Sequence, residues 1–153
     1  MSLKITVSHT TLWVSSAVLH CEGPLDQESY RALVDLALEE MEKGAADITV
    51  DLTEVPSINL AGVVGLYLTG LLLEEEAQEL VEPLRQQRDW GRVDGWQVLH
   101  QFCEAVAAGA QLAHIRLLVP NQGLMEQITA IGLNRLMQVL PKFGDLEEVA
   151  KYL

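Results

Sequence analysis

From Ile58 to Leu73 the chain runs for 16 residues without one charged side chain, and Glu74, Glu75 and Glu76 follow at once. A stretch this apolar goes either into a bilayer or into a protein interior. A bilayer crossing needs roughly 20 such residues. This run is shorter and carries Asn59, Gly62, Gly65, Thr69 and Gly70. It is therefore expected as a buried helix, which obliges the rest of the chain to supply its cover. The means are present: 153 residues is the length of one ordinary domain, and 49% of them are hydrophobic.

The flanking sequence reads as strands and helices in alternation. Leu3 to Val7 alternates apolar and polar, and Thr11 to Leu19 is rich in β-branched residues, so two strands are expected with a turn near Ser8-His9-Thr10. After Gly23-Pro24-Leu25-Asp26, Asp26 reads as an N-cap, with Leu25 and Tyr30 at the spacing of a hydrophobic staple. Tyr30, Leu33, Val34, Ala37, Leu38 and Met41 mark one helical face, which Gly44 ends. Asp47 to Leu52 and His114 to Val119 read as strands. Asn121 caps a helix over Leu124, Ile128 and Ile131 that closes at Gly132. Val139-Leu140 is an edge-strand candidate, and the Asp145, Glu148 spacing starts a last helix over Leu146 to Tyr152. This order implies an α/β fold with βαβ crossovers, a mixed sheet and helices mainly on one face.

One interval is too long for that plan. Forty residues separate Leu73 from His114, far more than a crossover needs. Leu73, Ala77, Leu80, Val81 and Leu84 keep helical spacing on one side of a turn at Arg88 to Gly95; Trp96, Leu99, Cys103, Val106 and Ala110 keep it on the other. An inserted helical hairpin of two equal arms is expected, the insertion proper covering about 74–97. Trp90 and Trp96 near its tip are candidate contacts. Folding back on the parent sheet and serving as a homodimer or partner arm are both open at this level.

Charge and side-chain inventory narrow the function. Ten Lys and Arg against 22 Asp and Glu give a net charge of −12. Such a surface repels phosphate backbones and anionic lipid heads, which argues against nucleic acid and membrane partners and for a basic protein surface. Two cysteines, Cys21 and Cys103, make neither a disulfide framework nor a four-thiolate site. His100 and Cys103 share a helical face without further ligands, and His20 and Cys21 point to opposite sides of a strand. No Ser-His-Asp order, phosphate loop or carboxylate pair can be picked out. No catalytic residue, metal or cofactor is expected, and the chain reads as non-enzymatic. The N-terminus has no basic-then-apolar segment, so a cytoplasmic location is expected.

The segment Asp51-Leu52-Thr53-Glu54-Val55-Pro56-Ser57-Ile58-Asn59-Leu60-Ala61-Gly62-Val63-Val64-Gly65-Leu66 resembles the signature of the STAS domain, the family of bacterial anti-sigma-factor antagonists and of the cytoplasmic tails of sulfate transporters. Its pattern is Asp-Leu-Ser-x-Val-x-x-Ile-Asp-Ser-Ser-Gly-Leu-x-x-Leu, matched at Asp51, Leu52, Val55, Ile58, Gly62 and Leu66. Gly23-Pro24-Leu25-Asp26, Leu117 to Asn121 with Ile131 to Leu136, and Asp145 to Val149 resemble further family segments in the same order. The resemblance implies a single STAS-like domain over 1–153 with the 74–97 insertion. It also implies a transcription-regulating protein that docks on an anti-sigma factor, a related kinase or another regulator. The partner face would comprise Ser57, Asn59, Leu60, Ala61 and Gly62. The alternative is a ligand-sensing or transporter-regulating module.

The departures from the pattern are chemical. In antagonists of this family the first Ser of Asp-Ser-Ser-Gly is phosphorylated at a helix N-terminus, where free N–H groups favour negative charge. Here Leu60 stands at that phosphoacceptor position, Asn59 replaces the Asp and Ala61 the second Ser. Incubation with ATP and a family-type anti-sigma kinase is expected to leave residues 59–62 unmodified by phosphopeptide mass spectrometry. Phosphate on Ser57 would mean that the switch has moved.

Overall fold

The structure, a computed structural model, describes residues 3–11, 15–74 and 79–141. Five strands form one mixed sheet in the order β1 (Lys4–Thr11), β2 (Ser15–Glu22), β3 (Asp47–Glu54), β4 (Ile115–Leu118), β5 (Gln138–Leu140). The first two strands pair antiparallel, and β2 through β5 run parallel. The strand predicted at Asp47–Leu52 is thus the middle of the sheet. The helices are α1 (Tyr30–Glu42), α2 (Leu60–Leu72), α3 (Glu82–Gln87), α4 (Gly95–Ala108), α5 (Gln122–Ile131) and α6 (Leu133–Leu136).

Register sorts the side chains onto two faces, because residues opposite one another across a ladder share a face. Val7, Leu19, Val50, Leu117 and Val139 are aligned across all five strands, and Ala17, Ile48 and Ile115 across three; all belong to the core beneath the helices. The other face carries Thr6, Ser8, His20, Asp51, Thr49 and Arg116. Alternation thus puts the core on one side and most of the sheet's polar side chains on the other, together with the buried Val18, Leu118 and Leu140.

The 16-residue apolar run is α2 with its capping loop. Every residue from Gly62 to Leu72 is buried. Its cover comes from α1 and α4 and, through contacts such as Gly70 against Ile115, from the sheet. Its glycines set how closely that cover fits. A Cβ on Gly62 would lie 2.6 Å from the backbone oxygen of Leu25 and 2.5 Å from Ile58 Cγ1, and one on Gly65 would lie 3.0 Å from Tyr30 Cβ. Further along, a Cβ on Gly70 would meet Leu112 Cδ1 at 2.6 Å. The small residues are the seats on which neighbouring elements rest.

Three boundaries differ from expectation. The second strand, expected over Thr11 to Leu19, is Ser15–Glu22, and Thr11 closes β1. Ser8, His9 and Thr10 lie inside β1, opposite Val18, Ala17 and Ser16, rather than in a turn. The side chains of Ser8 and His9 find partners without leaving the strand: Ser8 meets His20, and His9 reaches Glu40 on α1. Asp26 does not cap α1, which starts at Tyr30 with Ser29 at the cap position. The Asp26 carbonyl accepts from the N–H groups of Ser29 and Tyr30, and its carboxylate accepts from the Glu28 N–H. A turn thus precedes the helix. The helix predicted over Leu146–Tyr152 lies outside the described residues.

The insertion is helical and doubles back, with arms of unequal length: one 3-10 turn at Glu79–Val81 and the short α3, then a second at Trp90–Arg92 and the 14-residue α4. Arg88 makes the reversal in the left-handed region at φ 51°. Val81, Leu84, Val98 and Phe102 are buried in the parent core. The equal-armed expectation gives way because Pro83 sits in the first turn of α3, where a proline starts a helix instead of continuing one.

Gly62→Ala is expected to destabilise by about 1–3 kcal/mol, the range for overpacking. Gly95→Ala, where a Cβ meets nothing within 4 Å, should stay within about 0.5 kcal/mol of the parent; urea unfolding of both checks this. Glu40 gives a pH test. The His9 hydrogen bond, aided by Lys43, holds its carboxyl below the usual carboxylate range against an opposing push from burial. Its stabilising effect is present above the unfolded value of about 4.3 and is lost as pH falls below it. Glu40→Gln should therefore lower stability at neutral pH and make the decline below about pH 4.3 shallower.

Candidate functional site

The start of α2 is built by two chain segments stitched together. Leu25 and Ile58 form a parallel bridge. The Leu25 N–H donates to the Ser57 carbonyl (3.2 Å) and the Asn59 N–H to the Leu25 carbonyl (3.3 Å). Asn59 caps α2: its Oδ1 accepts from the Gly62 N–H at 3.1 Å, and its Nδ2 donates to Gln27 Oε1 at 2.7 Å. An Asn does the capping work of the expected Asp, because an N-cap requires an acceptor oxygen and not a charge.

The cap fixes which way the first turn faces. Ser57, Asn59 and Leu60 are exposed, Ala61 is half-buried and Gly62 is buried against Leu25. Leu60 is 56% exposed and Trp96 78%, and they are the two large hydrophobic side chains left exposed among the described residues. They line the same groove. Leu60, Ala61 and Val64 of α2 form one wall, Gly95, Trp96 and Leu99 of α4 the other, and Tyr30 the floor, around a volume of about 280 Å³.

Trp90 sits differently. Its Nε1–H donates to Asp35 Oδ1 at 2.9 Å, its ring meets Tyr30 edge-on at 5.6 Å between centroids, and the Arg31 guanidinium lies 5.3 Å from its ring centre. It fastens the insertion to α1 beneath the groove floor. Arg88 does the same through Glu42 and Glu39. At the far end of α2, Arg85 donates to the carbonyls of Leu71 and Leu72 in the last turn and of Glu74 just beyond it.

The remaining sequence candidates fall elsewhere. His100 pairs with Glu104 one turn on, and Cys103 is an exposed free thiol. Cys21 is buried, and burial, with Asp51 next, pushes its thiol up to about 12, so it is a poor nucleophile. Among the described residues no cluster of three His, Cys, Asp or Glu is placed to hold a metal, and no helix is long and apolar enough to cross a membrane. On the polar face of the sheet, Ser8, His20 and Asp51 are hydrogen-bonded in series. Chain order gave no sign of this, because the link depends on the register of three strands.

No protein-family model matches the chain, and no curated protein does. Solved structures do. An anti-sigma factor antagonist from Mycobacterium paratuberculosis superposes with a TM-score of 0.59 at 14% identity, over 97% of this chain and 95% of that one. A proposed anti-sigma factor antagonist from Thermotoga maritima gives 0.55 at 13% identity, over 95% and 94%. The fold is the STAS-like one that the motifs predict.

The two indoles of the insertion should separate in solution. Acrylamide is expected to quench Trp96 readily and Trp90 weakly. Trp96→Phe should reduce the readily quenched emission more than Trp90→Phe does, while moving stability by no more than about 0.5 kcal/mol.

Proposed function

We propose that the chain is a non-enzymatic regulatory domain that works as anti-sigma-factor antagonists do, by docking on another protein, with the first turn of α2 and the facing side of α4 as its contact surface. The observation that carries this reading is the convergence of Leu60 and Trp96 on one groove. Scattered exposed apolar residues are ordinary on a protein surface, whereas paired ones flanking a groove mark a contact. The STAS-like fold of the two superposed structures supports the class of function.

In this reading the partner sees an apolar patch where a phosphorylatable antagonist presents a hydroxyl. Leu60 cannot accept phosphate, so control passes to the abundance of the domain and its partner, or to another residue. The net charge of −12 raises the encounter rate with a basic partner and opposes self-association. A cytoplasmic, transcription-regulating role follows from the same reading.

The test is affinity capture from the source cells with parent and Leu60→Asp baits, followed by binding measurements on the purified partner. A partner held by the parent should lose more than about 1 kcal/mol on Leu60→Asp, the level of a contributing interface residue. Trp96→Ala should have an effect of the same sign. Equal capture by a correctly folded Leu60→Asp protein overturns the reading.

A further inference from the structure

The sheet face turned away from the helices is buried where no described helix lies. On this face Val18 aligns with Thr49 and Thr49 with Arg116; two residues along each strand, Asp51 aligns with Leu118 and Leu118 with Leu140. Thr49 and Leu118 are 0% exposed, Arg116 3%, Val18 4% and Leu140 5%. Val18, Leu118 and Leu140 stand outside the core beneath the helices. A bare sheet face leaves its side chains open to water, so exposures this low require a layer on top. Parallel strands carry the same requirement, being found with both faces covered. The described helices do not meet it. Strand order equals chain order, α1 lies between β2 and β3, α2 and α4 between β3 and β4, and α5 between β4 and β5. Right-handed crossovers then put all of them on one side.

The burial exists within a single copy of the chain, so the layer belongs to that same chain. Arg116 adds a chemical requirement. Its guanidinium lies 3.8 Å from Asp47, and its Nε has no hydrogen-bond partner among the described residues. A buried arginine needs a paired acceptor.

Four segments lie outside the described residues. Residues 1–2 adjoin β1, at the opposite edge of the sheet from Leu140. Residues 12–14 join β1 to β2 beside Ser15, at the other ends of the strands from Leu118 and Leu140. Residues 75–78 lead from α2 to Val81, which is buried in the helix-side core. Residues 142–153 leave β5 just past Leu140, itself part of the buried patch. As a helix these 12 residues reach about 18 Å, and the distance from β5 back to β2 is three strand spacings, about 14 Å. Leu146, Val149, Ala150 and Leu153 recur at the spacing of one apolar helical stripe. Asp145, Glu147 and Glu148 bring carboxylates that suit Arg116.

We infer that residues 142–153 are the occupant of this face: an amphipathic helix that crosses from β5 toward β2, seats its apolar stripe on Val18, Leu118 and Leu140, and sets a carboxylate against Arg116. The domain then has three layers, helices, sheet and one helix, and its second sheet face is closed to partner proteins. A second copy is disfavoured as the occupant because a net charge of −12 opposes self-association.

The photo-reactive amino acid p-benzoylphenylalanine, placed at Leu146 of the full chain, tests the position. After irradiation, peptide mass spectrometry should map cross-links to the β3 and β4 peptides holding Thr49, Arg116 and Leu118, and the same group at Lys151, on the polar side of the stripe, should lose them. Leu60→Asp should cross-link as the parent does, which keeps this result apart from the docking surface. Val149→Asp should lower the urea midpoint and remove amide-exchange protection across 143–153, whereas Lys151→Asp should do neither. Cross-links to α1, α4 or α5 overturn the inference. So do cross-links that join isotopically labelled to unlabelled chains, an absence of sheet cross-links, or a Val149→Asp midpoint equal to the parent's.

Discussion

Burial of α2 is the constraint from which the rest of the architecture follows. A helix without a polar side cannot lie on a sheet with its back to water. It has to be covered on all sides, and here α1, α4 and the sheet share the task. The glycines let these elements come near enough to exclude water. At Gly62 the neighbour is the backbone oxygen of Leu25, an atom that cannot move aside as a side-chain tip can. That contact fixes the Leu25–Ile58 bridge, the bridge fixes Asn59 as the cap, and the cap decides that Leu60 faces outward.

Most of this architecture was legible in the sequence. Strong periodicity located β3, β4, α1, α5 and the centre of α2, and a few residues at fixed spacings pointed to the STAS-like fold. Legibility failed where side chains find partners far along the chain. Ser8, His9 and Thr10 look like a turn by composition, yet cross-strand and helix contacts keep them extended. Asp26 looks like a cap, yet Ser29 takes that position because Asp26 is occupied by a turn. The groove was half legible: Leu60 and Trp96 were each singled out, but not that α4 brings them together. The Ser8, His20, Asp51 series was invisible, since a parallel pairing between β2 and β3 sets its register and local sequence carries no record of it.

The two surfaces also differ in how they depend on the fold. The groove rests on the first turns of α2 and α4, which side-chain contacts of the insertion hold in place. The sheet-face series rests on three hydrogen-bonded strands whose spacing the backbone fixes. The groove is thus set by side-chain contacts and the series by backbone pairing.

The groove has two walls of different origin. One is α2, which the STAS-like plan requires and whose close packing leaves little room for change. The other is α4, which lies in the stretch between β3 and β4 that is longer than a crossover needs. Arg85 bolts this stretch to the C-terminal end of α2, and Arg88 and Trp90 bolt it to α1, whatever the outward residues of the second wall are. If the groove docks a partner as proposed, partner choice can drift through substitutions at Trp96 and its exposed neighbours while the core goes untouched. The domain is a fixed frame with one exchangeable jaw.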